Sequence, residues 1–247
     1  MQQLFCKDSD IVDGVVTFTG ETANHIGRAL RMRVGEKVRL STDSEKNYIC
    51  RIISFTKDSV SFAIETETED TEPSVSVTIF QAVPKGDRME NVIEKTVELG
   101  VRRIVPVEMK NCVVRIDEKK KPIRLARWRK IAESAARQSK RSAVPEISDF
   151  ISFKEAASMM DGFDIALTPY ENETGMKETA LLRERISPGM NIGIMIGPEG
   201  GFAPEEVSCM EKHSDMISLG RRILRTDTAA IAMMSYIMII SEIRGEK

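Results

Sequence analysis

Roughly the first 65 residues of this 247-residue chain consist mainly of short stretches in which apolar and polar positions tend to alternate. These stretches are rich in β-branched residues and are separated by turns, a pattern typical of strands. One helical segment is predicted among them over residues 21–30, because Ala23, Ile26 and Leu30 share a helix face. The pattern predicts a small β-barrel with strands over residues 15–18, 37–41, 48–55 and 60–65.

From Val75 onward, apolar strands alternate with amphipathic helices. Between the two patterns lies the acidic, polar segment 66–74, the best candidate for a linker. Alternating strands and helices predict an α/β layer with a mostly parallel sheet. The sequence therefore predicts two domains, residues 1–70 and 74–247. In the second domain, strands are expected over 75–83, 103–107, 164–167, 191–196 and 216–219, and helices over 87–99, 121–140, 204–213 and 227–243.

Composition narrows the class of protein. With 41% apolar and 30% charged residues, the chain has an ordinary globular composition. No apolar run approaches the roughly 20 residues of a membrane-spanning helix, and the N-terminus does not resemble a secretory signal, so no membrane association is expected. The four cysteines are scattered without a CxxC pair, which argues against a metal site and against disulfides and favours a cytoplasmic protein.

Positive charge is concentrated between Glu118 and Arg141, although the net charge of the chain is only −2. Ten Lys/Arg residues in this stretch face two glutamates, a local excess of +8. Such a stretch is typical of a phosphate-binding surface, but it also occurs on solvated helix faces. The charge pattern alone leaves both interpretations open.

Three loops at the carboxyl ends of predicted strands are candidates for a ligand site, because α/β sheets bind ligands there. One of them, Thr168-Pro169-Tyr170, carries little information on its own. In the loop Gly197-Pro198-Glu199-Gly200-Gly201, the glycines permit a close approach of a ligand to the backbone. The spacing matches neither GxxxxGK[ST] nor GxGxxG, and Glu199 would repel a phosphate, so a neutral or cationic ligand is favoured. The third loop, residues 220–229, has three arginines just before Thr226, a natural N-cap residue.

These loops contain the motifs IGPEGGF and LGRRILRTDTAA, by which the chain resembles the RsmE-type ribosomal RNA methyltransferases of the SPOUT superfamily. The segments HIGRALRM, KGDRMENVIEKTVELGV and RWRKIAESAARQSKR extend the resemblance over essentially the whole chain. It implies an N-terminal PUA-like RNA-binding β-barrel and a C-terminal SPOUT α/β domain with a deep trefoil knot, which periodicity cannot show. It also implies a homodimer that methylates N3 of a uridine in 16S rRNA of the small ribosomal subunit with S-adenosyl-L-methionine (SAM).

The resemblance implies that three loops surround SAM. The residues it assigns to the cofactor are Leu167, Thr168, Ile196, Gly197, Pro198, Gly200, Gly201, Leu219, Gly220, Ile223, Leu224, Arg225, Thr228 and Ala229. The residues expected to contact RNA are Arg28, Arg31, Lys85, Arg88, Arg137, Lys140 and Arg141. Of the basic stretch, Lys119 to Lys121 could contact RNA or only solvent. No metal ligand is implied.

The implied reaction requires uracil N3 to lose its proton and the resulting anion to be stabilised beside the methyl donor. Arg225 is the first candidate for that stabilisation, with Arg221 and Arg222 behind it. Glu199 or Asp227 could accept the proton or orient these arginines.

Two positions depart from the family pattern. Position 227 is usually glutamate and is aspartate here. Asn111 stands where arginine is frequent, and we expect Lys110 or Arg115 to compensate if that arginine grips RNA.

Two alternatives remain at this point. One is a knotted methyltransferase that acts on a ribose 2′-OH or on transfer RNA and shares the cofactor loops. The other is a non-catalytic RNA-binding ribosome assembly factor that has kept the fold. Intact IGPEGG and LRTDTA motifs argue against the second, and a measurement of SAM binding separates it from an enzyme.

Overall fold

A computed structural model describes residues 1–245, except for the side chains of Arg28 and Ala29. The predicted RNA contact of Arg28 therefore lies outside the described residues. The chain forms two compact units. The first comprises Met1–Glu72 and Ala136–Ala143, and the second comprises Pro73–Ala135 and the residues from Val144 onward.

The first unit is built on a six-stranded sheet in the order β1-β4-β5-β6-β3-β2. Only β1 and β4 pair in parallel; the other neighbours are antiparallel. A short helix, α1 (Gly20–Asn24), continues as a π-helical turn over His25–Ala29. The four predicted strands are confirmed, while β1 and β2 were not predicted. The strands are β1 (Gln2–Cys6), β2 (Ile11–Val12), β3 (Val15–Thr19), β4 (Lys37–Thr42), β5 (Asn47–Phe55) and β6 (Ser59–Thr68).

Residues 136–143 pack with the first unit, although the sequence pattern assigned them to the second domain. The Arg141 side chain is buried and forms an ion pair with Glu72, to which its Nε also donates at 3.2 Å. Ser142 Oγ donates to Asp70 at 2.5 Å and accepts from Asn47 at 2.8 Å. The expected RNA contact of Arg141 is corrected, because its guanidinium is buried against Glu72 and tethers this segment.

The second unit contains a fully parallel sheet in the order β10-β8-β7-β12-β11-β13, with β9 also beside β8. Its strands are β7 (Ser76–Ala82), β8 (Arg103–Glu108), β9 (Glu146–Ile147), β10 (Ile151–Ser152), β11 (Ile165–Pro169), β12 (Asn191–Ile196) and β13 (Asp215–Ile217). Its helices are α2 (Arg88–Glu98), α3 (Lys121–Ser139), α4 (Phe153–Met160), α5 (Lys177–Arg185), α6 (Pro204–His213) and α7 (Thr226–Gly245).

The predicted strands and helices of this unit are confirmed within a few residues, and β9, β10, α4 and α5 are additional. Strand β12 is apolar and buried along almost its whole length, as expected for a strand covered on both faces. Helix α2 packs against α7 through an apolar face that includes Val92 and Ile93.

Helix α7 is long and apolar enough to cross a membrane by length and composition alone, and it is the only such helix in the described part of the chain. Ala230, Met233, Met234 and Ile237 of this helix are completely buried within the protein. Their spacing of three and four residues places them on one face, which is the pattern of a core helix.

The parallel strands all end at the same edge of the sheet, so the loops that follow them are neighbours. The glycine-rich loop follows β12, the arginine-rich loop follows β13, and residues 109–117 follow β8. The deep knot that the resemblance implies stays a prediction.

Candidate active site

A cavity of about 350 Å³ opens where the loops after β11, β12 and β13 meet the start of α7. This volume lies within the range of small-molecule sites, about 300–1,000 Å³. The cavity is lined by most of the residues that the sequence assigned to the cofactor: Ile196, Gly197, Pro198, Gly201, Leu219, Gly220, Ile223, Leu224, Arg225 and Ala229.

Four residues of the same set lie outside the cavity lining. Leu167 is fully buried within β11, and the Thr168 hydroxyl pairs with Ser214 at 2.6 Å. Gly200 and Thr228 are exposed. From β11 and its loop, the cavity is instead lined by Pro169, Tyr170 and Glu171.

The glycine-rich loop is so closely packed that side chains would not fit at two of its glycines. A Cβ atom on Gly197 would lie 2.6 Å from the Phe202 ring. A Cβ atom on Gly200 would lie 2.8 Å from the backbone oxygen of Asn111. Gly201 adopts a φ of +73°, which glycine tolerates best.

Asn111, in the loop that follows β8, fixes the glycine-rich loop. Its amide donates to the Gly201 carbonyl at 3.0 Å. The asparagine that replaces the family's frequent arginine therefore has a structural role here. Lys110, which was considered as a compensating RNA contact, forms an ion pair with Glu205, and this hydrogen bond raises the pKa of the Lys110 amine. Arg115, the other candidate, is exposed.

Thr226 joins three elements at the floor of the cavity. Its hydroxyl donates to the Gly197 carbonyl at 2.7 Å and accepts from Gln81 Nε2 at 2.9 Å. Thr226 is the first residue of α7, so the expected N-cap role is corrected: its hydroxyl links β7 and the glycine-rich loop to the helix instead of capping it. These two hydrogen bonds connect the glycine-rich loop to β7 of the sheet and to α7.

Glu199 projects from the glycine-rich loop and is largely buried. Its Oε1 accepts from the Lys85 backbone N–H at 3.0 Å and from Arg88 Nη1 at 2.7 Å. Its Oε2 is buried and has no hydrogen-bond partner among the described residues. A buried acceptor without a partner is costly, and a ligand that donates to Oε2 would remove that cost.

Arg88 lines the cavity. Its expected RNA contact is revised, because the guanidinium is engaged by Glu199 inside the site. The Lys85 side chain is exposed and remains a candidate RNA contact.

Asp227 has a comparable but separate arrangement. Its Oδ2 accepts from Asn91 at 3.3 Å, and its Oδ1 is buried without a partner in the described structure. Asp227 does not line the cavity, whereas Arg222 and Arg225 do. Of the three predicted catalytic residues, Glu199 and Arg225 therefore share the cavity.

The remaining predicted RNA contacts lie in the first unit. Arg31 and Lys140 are exposed, and both have a positive φ, of 52° and 59° respectively. Arg137 is half-buried. Among the residues that the structure describes, no group of three or more His, Cys, Asp or Glu could hold a metal ion.

Comparison with known proteins identifies the family. The model of an RNA methyltransferase domain matches residues 71–238, and that of an RNA methyltransferase PUA domain matches residues 18–65. The chain belongs to this RNA methyltransferase family. The predicted family and the α/β fold with an N-terminal PUA-like domain are thereby confirmed.

The similarity to individual methyltransferases extends over nearly the whole chain. The ribosomal RNA small subunit methyltransferase E of Bacillus subtilis is 35% identical over 94% of this chain and 93% of its own length. The corresponding Neisseria gonorrhoeae protein, solved bound to S-adenosyl methionine, is 29% identical, with a TM-score of 0.82 over 97% of this chain and 98% of that one. A Legionella pneumophila methyltransferase, solved with SAM, is 28% identical, with a TM-score of 0.83 over 96% of each chain.

Sequence reasoning missed several residues that shape this methyltransferase site. Tyr170 and Phe202 line the cavity, with ring centroids 6.2 Å apart. Gln81 holds Thr226, and Glu171 adds a second carboxylate to the wall. The positions of Tyr170 and Glu171 directly after a strand were visible in the sequence. A buried glutamine at the end of an apolar strand gives no comparable signal.

Proposed function

We propose that this methyltransferase transfers a methyl group from SAM to N3 of a uridine in 16S rRNA of the small ribosomal subunit, as a homodimer in the cytoplasm. The observation that carries the proposal is the cavity formed by the IGPEGG and LRTDTA loops beside Glu199 and Arg225. The names of the similar proteins support small-subunit rRNA as the substrate class.

The residues of the cavity fit SAM. Ile196, Leu219 and Leu224 form an apolar wall, and the glycines expose backbone groups to a ligand. Glu171 places a carboxylate in the cavity wall, which suits a cationic sulfonium, whereas the Glu199 carboxylate is paired with Arg88. When bound, SAM supplies an electrophilic methyl group.

Side chains of the site would activate the uracil. In our proposal the Glu199 carboxylate accepts the N3 proton, while Arg88 and the Lys85 N–H hold its Oε1 in place. Arg225, with Arg222 behind it, stabilises the negative charge that develops on the uracil oxygens. The N3–H bond breaks, N3 bonds to the methyl carbon, and the bond from that carbon to sulfur breaks to leave a neutral thioether. Asp227, outside the cavity lining, is the weaker candidate for the base.

The proposed homodimer is supported by an apolar face of α7 that the chain itself leaves uncovered. Ile239 and Ile243 are 60% and 59% exposed and are four residues apart, so they lie on the same side of the helix. Burying such side chains against a second copy is favourable by roughly 25 cal/mol per Å² of apolar surface.

Methyl transfer from labelled SAM tests the proposal. Small and large ribosomal subunits from cells that lack the activity are incubated separately with the protein, and label in their RNA is counted after extraction. We expect calorimetry to detect SAM binding and label to enter only small-subunit RNA. SAM binding without label in that RNA would contradict the proposed reaction and favour a non-catalytic assembly factor.

A further inference from the structure

We propose that residues 115–124 form a phosphate-binding surface that holds the RNA substrate beside the cofactor cavity. This inference rests on the proposed function, since it assigns part of the substrate path. The basic stretch 118–141 is compatible, by its sequence alone, with an RNA contact or with a solvated helix face.

Ion pairs neutralise much of that stretch. Arg127 pairs with Glu90 at 2.7 Å, and Arg129 pairs with Asp149 at 3.1 Å. Lys121 is held between Glu108 at 2.9 Å and Glu118 at 2.6 Å. Together with the buried Arg141, these residues have their charge compensated within the protein and contribute little to the attraction of a phosphate.

Several exposed cations of the second unit are grouped within residues 115–124. Arg115, Lys119, Lys120 and Arg124 are exposed, and the described side chains offer them no ion-pair partner. Residues 115–124 contain five basic and two acidic residues, a net charge of +3. One of those acids, Glu118, is already bound to Lys121.

The described contacts do not show that these cations stabilise the folded protein. Arg124 and Lys121 lie in the first turn of α3, directly after the short 3₁₀ helix Glu118–Lys120. Glu118 is bound to Lys121, which leaves the Arg124 cation near the start of α3 without a carboxylate partner among the described side chains. Because the N-terminal end of a helix carries partial positive charge, basic side chains near it are electrostatically unfavourable. The backbone is fixed by Asp117, whose carboxylate accepts from the Lys119 N–H at 2.9 Å. A bound anion would turn this unfavourable arrangement into a favourable one.

The Arg115 end of the surface lies close to the glycine-rich loop along the chain. Asn111 contacts the glycine-rich loop through the Gly201 carbonyl. Arg115 follows Asn111 by four residues, so their Cα atoms are at most about 14 Å apart. That is roughly the span of a few phosphates along an RNA strand. RNA is the occupant that this chemistry favours, because a uridine in the cavity brings its flanking phosphates with it.

Salt-dependent binding to isolated small ribosomal subunits tests the inference without turnover. The variant is Lys119→Ala/Lys120→Ala/Arg124→Ala, and the matched control is Lys154→Ala/Lys177→Ala/Arg183→Ala, which removes three exposed charges elsewhere in the same unit. Three lost phosphate contacts lower the slope of log affinity against log salt by about 2 to 3. Between about 50 and 200 mM salt, wild-type affinity should then fall roughly 20- to 40-fold further than that of the variant.

The control variant should keep the wild-type slope, and thermal melting should show both variants folded. An unchanged slope in the Lys119/Lys120/Arg124 variant would overturn the inference, because these cations would then make no phosphate contacts. An equal decrease of the slope in the control variant would also overturn it, because the effect would then come from the total charge of the protein. The proposed reaction is judged separately, by methyl transfer with the wild-type protein. A lower slope in the Lys119/Lys120/Arg124 variant than in wild type, without methyl transfer by the wild-type protein, would leave this surface in place and refute the reaction.

Discussion

At the residue scale, the glycine-rich loop packs so closely against the backbone of another loop that one of its glycines has no room for a side chain. Gly200 faces the backbone oxygen of Asn111, which cannot rotate away as a side chain could. The requirement for glycine there follows from packing between two loops, not from a left-handed φ. This contact was not predictable from the sequence, because nothing in it shows that residues 111 and 200 meet.

Gly200→Ala should therefore weaken SAM binding by about 5- to 150-fold, since relieving an overpacked contact of this kind costs about 1–3 kcal/mol. Titration calorimetry with SAM measures the change. Gly162→Ala is the control, because a Cβ atom there would make an ordinary contact of 3.4 Å with Met159. Equal affinity of Gly200→Ala and wild type would show that the loop is not held by Asn111 in the way described.

Arg225 tests the electrostatic part of the mechanism. Arg225→Ala should lower the rate of methyl transfer under saturating RNA by about 10²–10³-fold, the effect of removing one donor to a developing anion. SAM affinity should change far less, because much of the cavity wall stays in place.

Arg221→Ala is the matched variant, since Arg221 is exposed and outside the cavity lining. Single-turnover kinetics separates the chemical step from RNA binding. Full turnover of Arg225→Ala would refute the role assigned to Arg225.

At the scale of elements, segments with strong apolar periodicity allowed their strands and helices to be predicted to within a few residues. Segments with weak or polar patterns contain elements that were not predicted. Strand β1 was missed because Gln3, a polar residue, is buried and donates to Ser41 at 2.7 Å. Strands β9 and β10 have two residues each, too few for any periodic signal. Helix α4 was predictable, because Ser152 and Glu155 form a capping box and their S-x-x-E spacing in the sequence indicates the start of a helix.

The capping box gives a prediction for α4. Ser152 Oγ accepts from the Glu155 N–H at 3.3 Å, and the Glu155 carboxylate accepts from the Ser152 N–H at 2.8 Å. Ser152→Ala should lower the free energy of unfolding by about 1 kcal/mol. Urea denaturation measures this loss. Ser158→Ala, at an exposed position inside the same helix, should be neutral or slightly stabilising, and an equal loss in both variants would argue against the cap.

At the scale of the whole molecule, the motifs gave the family and the order of the two folds, while connections distant in sequence stayed hidden. The return of residues 136–143 to the first unit depends on partners such as Glu72 and Asn47, which periodicity cannot pair with Ser142. The knot is a property of how loops thread, and a pattern of apolar positions contains no information about threading.

The uncovered apolar face of α7 leads to a prediction about the oligomeric state in solution. Ile239→Lys should convert the proposed dimer to a monomer, because a charge would have to be buried in the subunit interface. Analytical ultracentrifugation measures the mass of both proteins. Ile123→Lys is the control, since Ile123 is 71% exposed on a different helix. If the Ile239→Lys variant remained a dimer, the subunit interface would have to lie on another surface.

The central claim concerns the atom that is methylated, and nucleoside mass spectrometry tests it most directly. Small subunits from cells that lack the activity are incubated with the protein and SAM, and their RNA is digested to nucleosides. A new 3-methyluridine peak, absent without SAM, is the predicted result. A ribose-methylated nucleoside in its place would keep the cofactor site but contradict the proposed chemistry at uracil N3.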